Sequence, residues 1–200
     1  MGSKELRVRE TWQDYSGANA GIAEKSFYEV FKELFEGTNF RIRPKPQEFK
    51  NIYLDVELDP KVLAEIYNVS KKEIKKHGIA PDYAIDNIDT KKTIYIEVKR
   101  QDGWVEGELR SVGRGNAHER SCKYFTPGLL KELRKKGKLG ENVLPFWVVF
   151  QGDITRDPCR VREVTLWYDN KDAHFFMWRD RKNITPLIEH FNKHIKPLLL

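Results

Sequence analysis

"PDYAIDNIDTKKTIYIEVKR", residues 81–100, sets a lone acid straight after a proline and ends an apolar run on Glu97 and Lys99. From Thr93 to Lys99 the pattern has period two: Ile94, Ile96 and Val98 face one way, and Tyr95, Glu97 and Lys99 the other. Two β-type runs, Tyr83 to Ile85 and Thr93 to Val98, flank the polar turn Asp86 to Lys92, so the stretch reads as a hairpin. Pairing of its strands carries Asp82 alongside Glu97. Asp82, Glu97 and Lys99 then share one spot on a sheet. Two chemistries suit that trio: an edge-strand ion pair between Glu97 and Lys99, or a site for a divalent metal.

Two hundred residues suit one domain with a full core, taken here as 1–200. A hydrophobic content of 40%, with five Trp and eleven Phe, argues against disorder despite 33% charged residues. No apolar run reaches about 18 residues and the N-terminus is polar, so neither a membrane span nor a secretory signal is expected. Cys122 and Cys159 make neither a disulfide framework nor a close metal-ligand pair, which fits a reducing, cytoplasmic setting. The net charge of +6 and pI near 9.2 favour a polyanionic partner such as nucleic acid. Taken alone, Lys71, Lys72, Lys75 and Lys76 and the run Lys131 to Lys138 are as well explained as solvated helix faces.

Around the hairpin, helices and strands interleave. Ala23, Phe27, Val30, Phe31 and Leu34 fall at helical spacing, with Gly37 as a stop. "FRIRP" and "NIYLDVELDP" read as short strands, Lys61 to Tyr67 as a short helix, and Ser70 with Glu73 as a capping box for another ending at Gly78. After a loop from Gln101 to Gly115, "NAHERSCKYF" and "PGLLKELRKKG" read as helices, the second with Pro127 in its first turn. Val143 to Gln151 is almost wholly apolar and predicts a central strand buried on both faces. A helix capped by Asp157-Pro158 runs through Trp167, "HFFMWR" is a further strand, and Thr185-Pro186 opens a C-terminal helix carrying Leu187, Ile188, Phe191 and Ile195. The expected fold is α/β, a mixed central β-sheet flanked by α-helices.

Phosphodiester hydrolysis needs a hard cation at the scissile phosphate and an in-line water. Mg²⁺ takes carboxylate and carbonyl oxygens and keeps several waters. Asp82 and Glu97 can supply two carboxylates and the Val98 backbone carbonyl a third oxygen, with Lys99 placed to orient the water and offset phosphate charge. No Ser-His-Asp set, P-loop or zinc spacing competes for this role. His118 is the one histidine near a motif, and its residue type alone fits a structural or DNA-proximal place better than a catalytic one.

Pro81-Asp82, fourteen intervening residues, then Glu97-Val98-Lys99 matches the PD-(D/E)XK nuclease pattern, which is loose by itself. "KRQDGWVEG", "GRGNAHERSCKYFTPGLL", "LPFWVVFQGDITRDP" and "VREVTLWYD" are more specific. Together they resemble the EcoRI-like type II restriction endonucleases, and within them the MunI group, most strongly from Gly78 to Trp178. The resemblance implies a restriction-endonuclease-like core, metal-binding acids at Asp82 and Glu97 and a catalytic lysine at Lys99. It also implies Mg²⁺ dependence and a homodimer that cuts the palindrome CAATTG after its first C, leaving 5′ AATT ends. Host DNA would be protected by a cognate adenine methyltransferase that need not bind this chain. Another nuclease of the superfamily, such as a resolvase or repair nickase, would share the trio without base-specific cutting. A non-catalytic DNA-binding module would use the acids only as ion pairs.

The chemistry of "GRGNAHER" agrees with that implication. Gly113 and Gly115 let backbone approach DNA closely. Asn bonds adenine N6 and N7 together, a carboxylate accepts from an exocyclic amine, and Arg bonds guanine O6 and N7 together. Asn116 and Glu119 therefore match adenines, Ala117 a thymine methyl and Arg114 the outer guanine, with His118 beside them. Arg120 is open between buttressing Glu119, a base and a phosphate. The plainer alternative makes Asn116 a helix cap with Glu119 at the third position.

Overall fold

The computed structural model describes residues 2–66, 74–109, 115–169 and 174–200, with side chains from residue 18 onward. Five strands form one mixed sheet: β1 (Phe40–Pro44), β2 (Tyr83–Asn87), β3 (Thr93–Arg100), β4 (Phe146–Gln151) and β5 (Phe175–Met177), in that spatial order. β1–β2 and β2–β3 pair antiparallel, β3–β4 and β4–β5 parallel. The parallel half buries both faces, as the unbroken apolar run of β4 requires; all six of its residues are buried. β2 and β3 form the hairpin read from the sequence. Tyr83 opposes Ile96, and that register carried one step further sets Asp82 against Glu97. β2 runs two residues beyond Ile85 because Asp86 is held there by Thr93 Oγ1 and the Arg41 and Arg43 guanidinium groups.

Period-two alternation sends the two faces of the sheet into separate cores. On one face, α1 (Gly2–Leu34) lays Ala23, Phe27 and Phe31 on Tyr83, Ile94, Ile96, Val98, Trp147 and Val149. The C-terminal helices close that layer: α5 (Thr185–His190), a wide turn over Phe191–Ile195, and α6 (Lys196–Leu199). Their core residues Leu187, Phe191, Ile195 and Leu199 recur every four positions. An α-helix turns every 3.6 residues, so such a stripe drifts off the core; the i→i+5 turn takes up the drift. Asn87 and Thr90 then donate to the Leu199 carbonyl at 3.1 and 2.7 Å, pinning the last turn to the hairpin. On the other face α3 (Pro127–Gly137) and α4 (Pro158–Trp167) bring Leu129, Leu133 and Val164 onto Ala84, Tyr95, Phe146, Val148 and Phe150. The Asp157 carboxylate caps α4 as expected, accepting from the Cys159 and Arg160 N–H groups.

Three expectations are corrected. "NIYLDVELDP" is no strand: residues 51–55 form turns and 56–59 are irregular, since Tyr53 N–H donates to the His77 carbonyl rather than to a ladder. The helix ending at Gly78 is absent over 74–78, while its capping pair Ser70 and Glu73 and the lysines Lys71 and Lys72 lie outside the described residues. Gly78 serves a close approach instead: a Cβ there would sit 2.0 Å from the Phe49 carbonyl oxygen. "NAHERSCKYF" gives a 3₁₀-helix, Glu119–Phe125, not an α-helix. The short helix α2 is Pro60–Ile66, within a residue of its expected bounds. Lys131, Lys135 and Lys136 do lie on the solvated side of α3. Among the described residues no helix is long and apolar enough to cross a membrane.

Candidate active site and the segment beside it

The fold brings Asp82, Glu97 and Lys99 together at one end of the hairpin, on the α3/α4 side of the sheet. Pro81 and Tyr83, both buried, fix the chain on either side of Asp82. Its Oδ2 accepts the Val98 N–H at 2.9 Å, which ties the acid to the neighbouring strand. Lys99 Nζ lies 2.5 Å from Glu97 Oε1 and 3.8 Å from Asp82 Oδ2, bridging the two carboxylates. Both acids are buried, at 6% and 5% exposure. Buried carboxylates demand partners, and this pair has them on every side.

Two of those partners are not evident from the sequence. Lys45 Nζ sits 2.9 Å from Asp82 Oδ1 and 3.4 Å from Glu24 Oε2. Burial works against the Lys45 charge, but the hydrogen bond and field of Asp82 outweigh it and raise its pKa. Burial and the nearby Asp82 charge raise the Glu24 carboxyl above the usual range, Lys45 opposing them. Lys45 adopts a left-handed backbone, φ 44°, unusual for a side chain of its size, with its N–H donating to the Asp82 carbonyl at 2.9 Å. The Tyr124 hydroxyl donates to Glu97 Oε2 at 2.7 Å. Burial first, and then the Glu97 charge, push that phenol far above its ordinary pKa, so it remains a donor. A cation between Pro44 and Pro46 is the one local hint of Lys45; nothing in the spacing marks Tyr124 or Glu24.

The donor set fits a hard cation of the Mg²⁺ kind. Among the described residues no three Asp, Glu, His or Cys side chains converge as an all-protein cage. Two adjacent carboxylates suit an ion that keeps several of its waters, and it would take the place that the Lys45 and Lys99 ammonium groups hold on them.

The stretch expected from its residue types to read bases is mounted on the same strand. Asn116, Glu119 and Arg120 are exposed, and Gly115 and Ala117 partly so; Arg114 and Gly113 lie outside the described residues. Asn116 does not cap the 3₁₀-helix. Its Nδ2 donates to Glu119 Oε2 at 3.3 Å, and the helix begins after His118 with no side-chain cap bond. His118 is fully buried at 0% exposure, so its ring holds the segment and offers no surface to a ligand. Its Nδ1 lies 2.9 Å from Gln101 Oε1 and its Nε2 3.2 Å from Glu163 Oε2, and the ring stacks on Trp167 with centroids 5.3 Å apart. Burial, then the Arg160 charge, lower the His118 pKa below 6.5, with Glu163 opposing. Gln101 is two residues beyond Lys99. The exposed polar side chains at 116–120 therefore hang from the end of the strand that carries Glu97 and Lys99.

A mixed five-stranded sheet with two acids and a lysine at a strand end, and a polar segment suspended beside them, defines the restriction-endonuclease class of nucleases. Residues 1–200 match the family described as type II restriction enzyme MunI. A curated relative, the type II restriction enzyme MunI of Mycoplasma sp, is 50% identical over 201 residues and all of both chains. The crystal structure of MunI restriction endonuclease in complex with cognate DNA aligns with a TM-score of 0.80 at 49% identity, covering 94% of this chain and 97% of that one. The chain belongs to the MunI family of type II restriction endonucleases.

Proposed function

We propose that this chain, one domain acting as a homodimer in the cytoplasm, cuts double-stranded DNA at CAATTG after the first C and leaves 5′ AATT ends. The observation that carries the reading is the meeting of Asp82, Glu97 and Lys99 within 2.5 and 3.8 Å at the foot of the segment bearing Asn116 and Glu119. Asp82 and Glu97, with the Val98 carbonyl, would hold Mg²⁺. When bound there, Mg²⁺ supplies Lewis acidity at the scissile phosphate. Lys99 orients the attacking water and offsets the charge that grows on the phosphate oxygens. Tyr124 fixes one oxygen of Glu97 and leaves the other toward Lys99. Lys45 neutralises Asp82 from the far side.

Asn116 and Glu119 match the adenines of the half-site, Ala117 a thymine methyl and Arg114 the outer guanine. Arg120 is exposed and able to reach base or phosphate, and His118 positions the segment from beneath. One copy reads one half of a palindrome, so a two-fold dimer reads the whole. Digestion of a defined plasmid with Mg²⁺ and sequencing of the ends tests the reading. Discrete fragments with 5′ AATT overhangs from CAATTG are expected. Diffuse or structure-specific nicking would assign the trio to a different nuclease activity, and intact plasmid would leave a DNA-binding module.

A further inference from the structure

The three parallel strands β3, β4 and β5 all end at the edge that carries Lys99. On the opposite face of that edge, where alternation sends Arg100 and its ladder partner Gln151, lies a cleft of about 290 Å³. Four arginines line it. Arg100 is committed to Asp102 at 2.8 Å, and Arg156 to Asp153 at 2.9 Å and to Glu108. Arg179 and Arg181, which follow β5, are exposed and have no acidic partner among the described residues. At the back of the cleft Gln151 is 1% exposed, and neither its Nε2 nor its Oε1 has a hydrogen-bond partner. An amide buried with donor and acceptor both idle is costly and uncommon in a native fold. Gly152 beside it is squeezed against the 101–103 loop: a Cβ there would lie 2.5 Å from Asp102 Oδ1, and its φ is +83°. That approach lets Asp102 close one wall of the cleft, with Gly103 N–H donating to Asp153 Oδ2 at 2.9 Å.

We propose that this cleft seats a phosphate of the DNA backbone outside the scissile one, with Arg179 and Arg181 closing on its oxygens and Gln151 Nε2 donating to it. The proposal rests on the DNA-cleaving reading above. A duplex that meets Lys99 and the 116–120 segment runs along this same edge, because Gln101 joins the two. Phosphate contacts of this kind fix register without reading sequence, and they make binding depend on salt.

The test is the Arg179→Ala/Arg181→Ala double variant, with binding measured on duplexes that extend past the hexamer, with and without CAATTG, across a KCl series in Ca²⁺. Expected is a loss of affinity on both duplexes alike, with the slope of log K against log salt shallower by about 0.9 for the one phosphate of each cleft, or about 1.8 for the two clefts of a dimer. Gln151→Leu is expected to weaken both duplexes while raising the Tm of the free protein, a combination that a merely structural glutamine would not give. Unchanged slopes, or a loss confined to the CAATTG duplex, overturn the proposal. So does a cleft that takes inorganic phosphate, seen as shifts of the Gln151 amide resonances, while the double variant binds DNA like the parent. Salt slopes are read from binding without cutting, so failure here is distinct from failure to cleave CAATTG.

Discussion

Glu97 receives a phenol on one oxygen and an ammonium on the other, so its geometry is set before any substrate arrives. Glu97→Ala or Asp82→Ala is expected to abolish cleavage while the protein stays folded, since each removes charge from a site and not bulk from a core. DNA affinity should survive or rise, because loss of either carboxylate removes a charge that repels phosphate and leaves Lys45 or Lys99 less compensated. Near-normal cutting by either variant with Mg²⁺ would sink the assignment. Tyr124→Phe should leave a buried carboxylate one donor short. A lost partner of a metal-holding group typically costs about 10–100-fold in metal affinity or activity. The variant should need correspondingly more Mg²⁺ to cut, and an unchanged Mg²⁺ profile would show the hydroxyl to be passive. At this scale the trio was legible because one strand and one turn bring it together, and hairpin register can be counted. Glu24, Lys45 and Tyr124 arrive from α1, the residue after β1 and the 3₁₀-helix, and no local periodicity encodes those meetings.

The segment 115–120 turns Asn116, Glu119 and Arg120 to the outside and its anchor, His118, to the inside. Two predictions belong to it. Arg114→Ala should lose preference for CAATTG over GAATTC and AAATTT by roughly 1–3 kcal/mol, or one to two decades, while the need for inner AATT persists through Asn116 and Glu119. A uniform loss on all three duplexes would point to a phosphate contact instead. His118 makes the mounting acid-sensitive. Its pKa is lowered in the fold, so the unfolded chain binds the extra proton first; the stability it contributes is full above pH 6.5 and drains away as pH falls through the lowered value. His118→Gln should flatten that acid limb in melting curves taken from pH 7 down to about 5. An unaltered limb would place the titration elsewhere. The sequence marks this segment by its residue types, yet the types do not say which side chain turns inward. Burial of His118 depends on Trp167 and Glu163, some fifty residues away in α4.

Across the whole molecule, element types followed from periodicity wherever a face was buried, as in β3, β4 and α3. The same logic failed over 51–59 and 74–78, where backbone pairs with backbone across a loop and hydrophobic pattern carries little information. Net charge of +6 brings the chain to DNA without regard to sequence, while at the site Glu24, Asp82 and Glu97 outnumber Lys45 and Lys99 and oppose the last approach. Weak discrimination between cognate and unrelated duplex is therefore expected with chelator near neutral pH. Ca²⁺, an oxygen-seeking ion that is a poor support for this chemistry, should restore specific binding without cutting. Anisotropy titrations under the two conditions decide the matter, and equal cognate preference in both would rule out the coupling.

The two lysines seated on Asp82 bear on the order of events in the life of the chain. Many small metalloproteins cannot fold until their ion arrives, because unpaired ligands would be left crowded together. Here the ammonium groups of Lys45 and Lys99 stand in that place from the start. On the proposed reading, synthesis and folding of the nuclease can thus finish in full while its chemistry waits, and arming it with a divalent ion becomes a separate, later and reversible step.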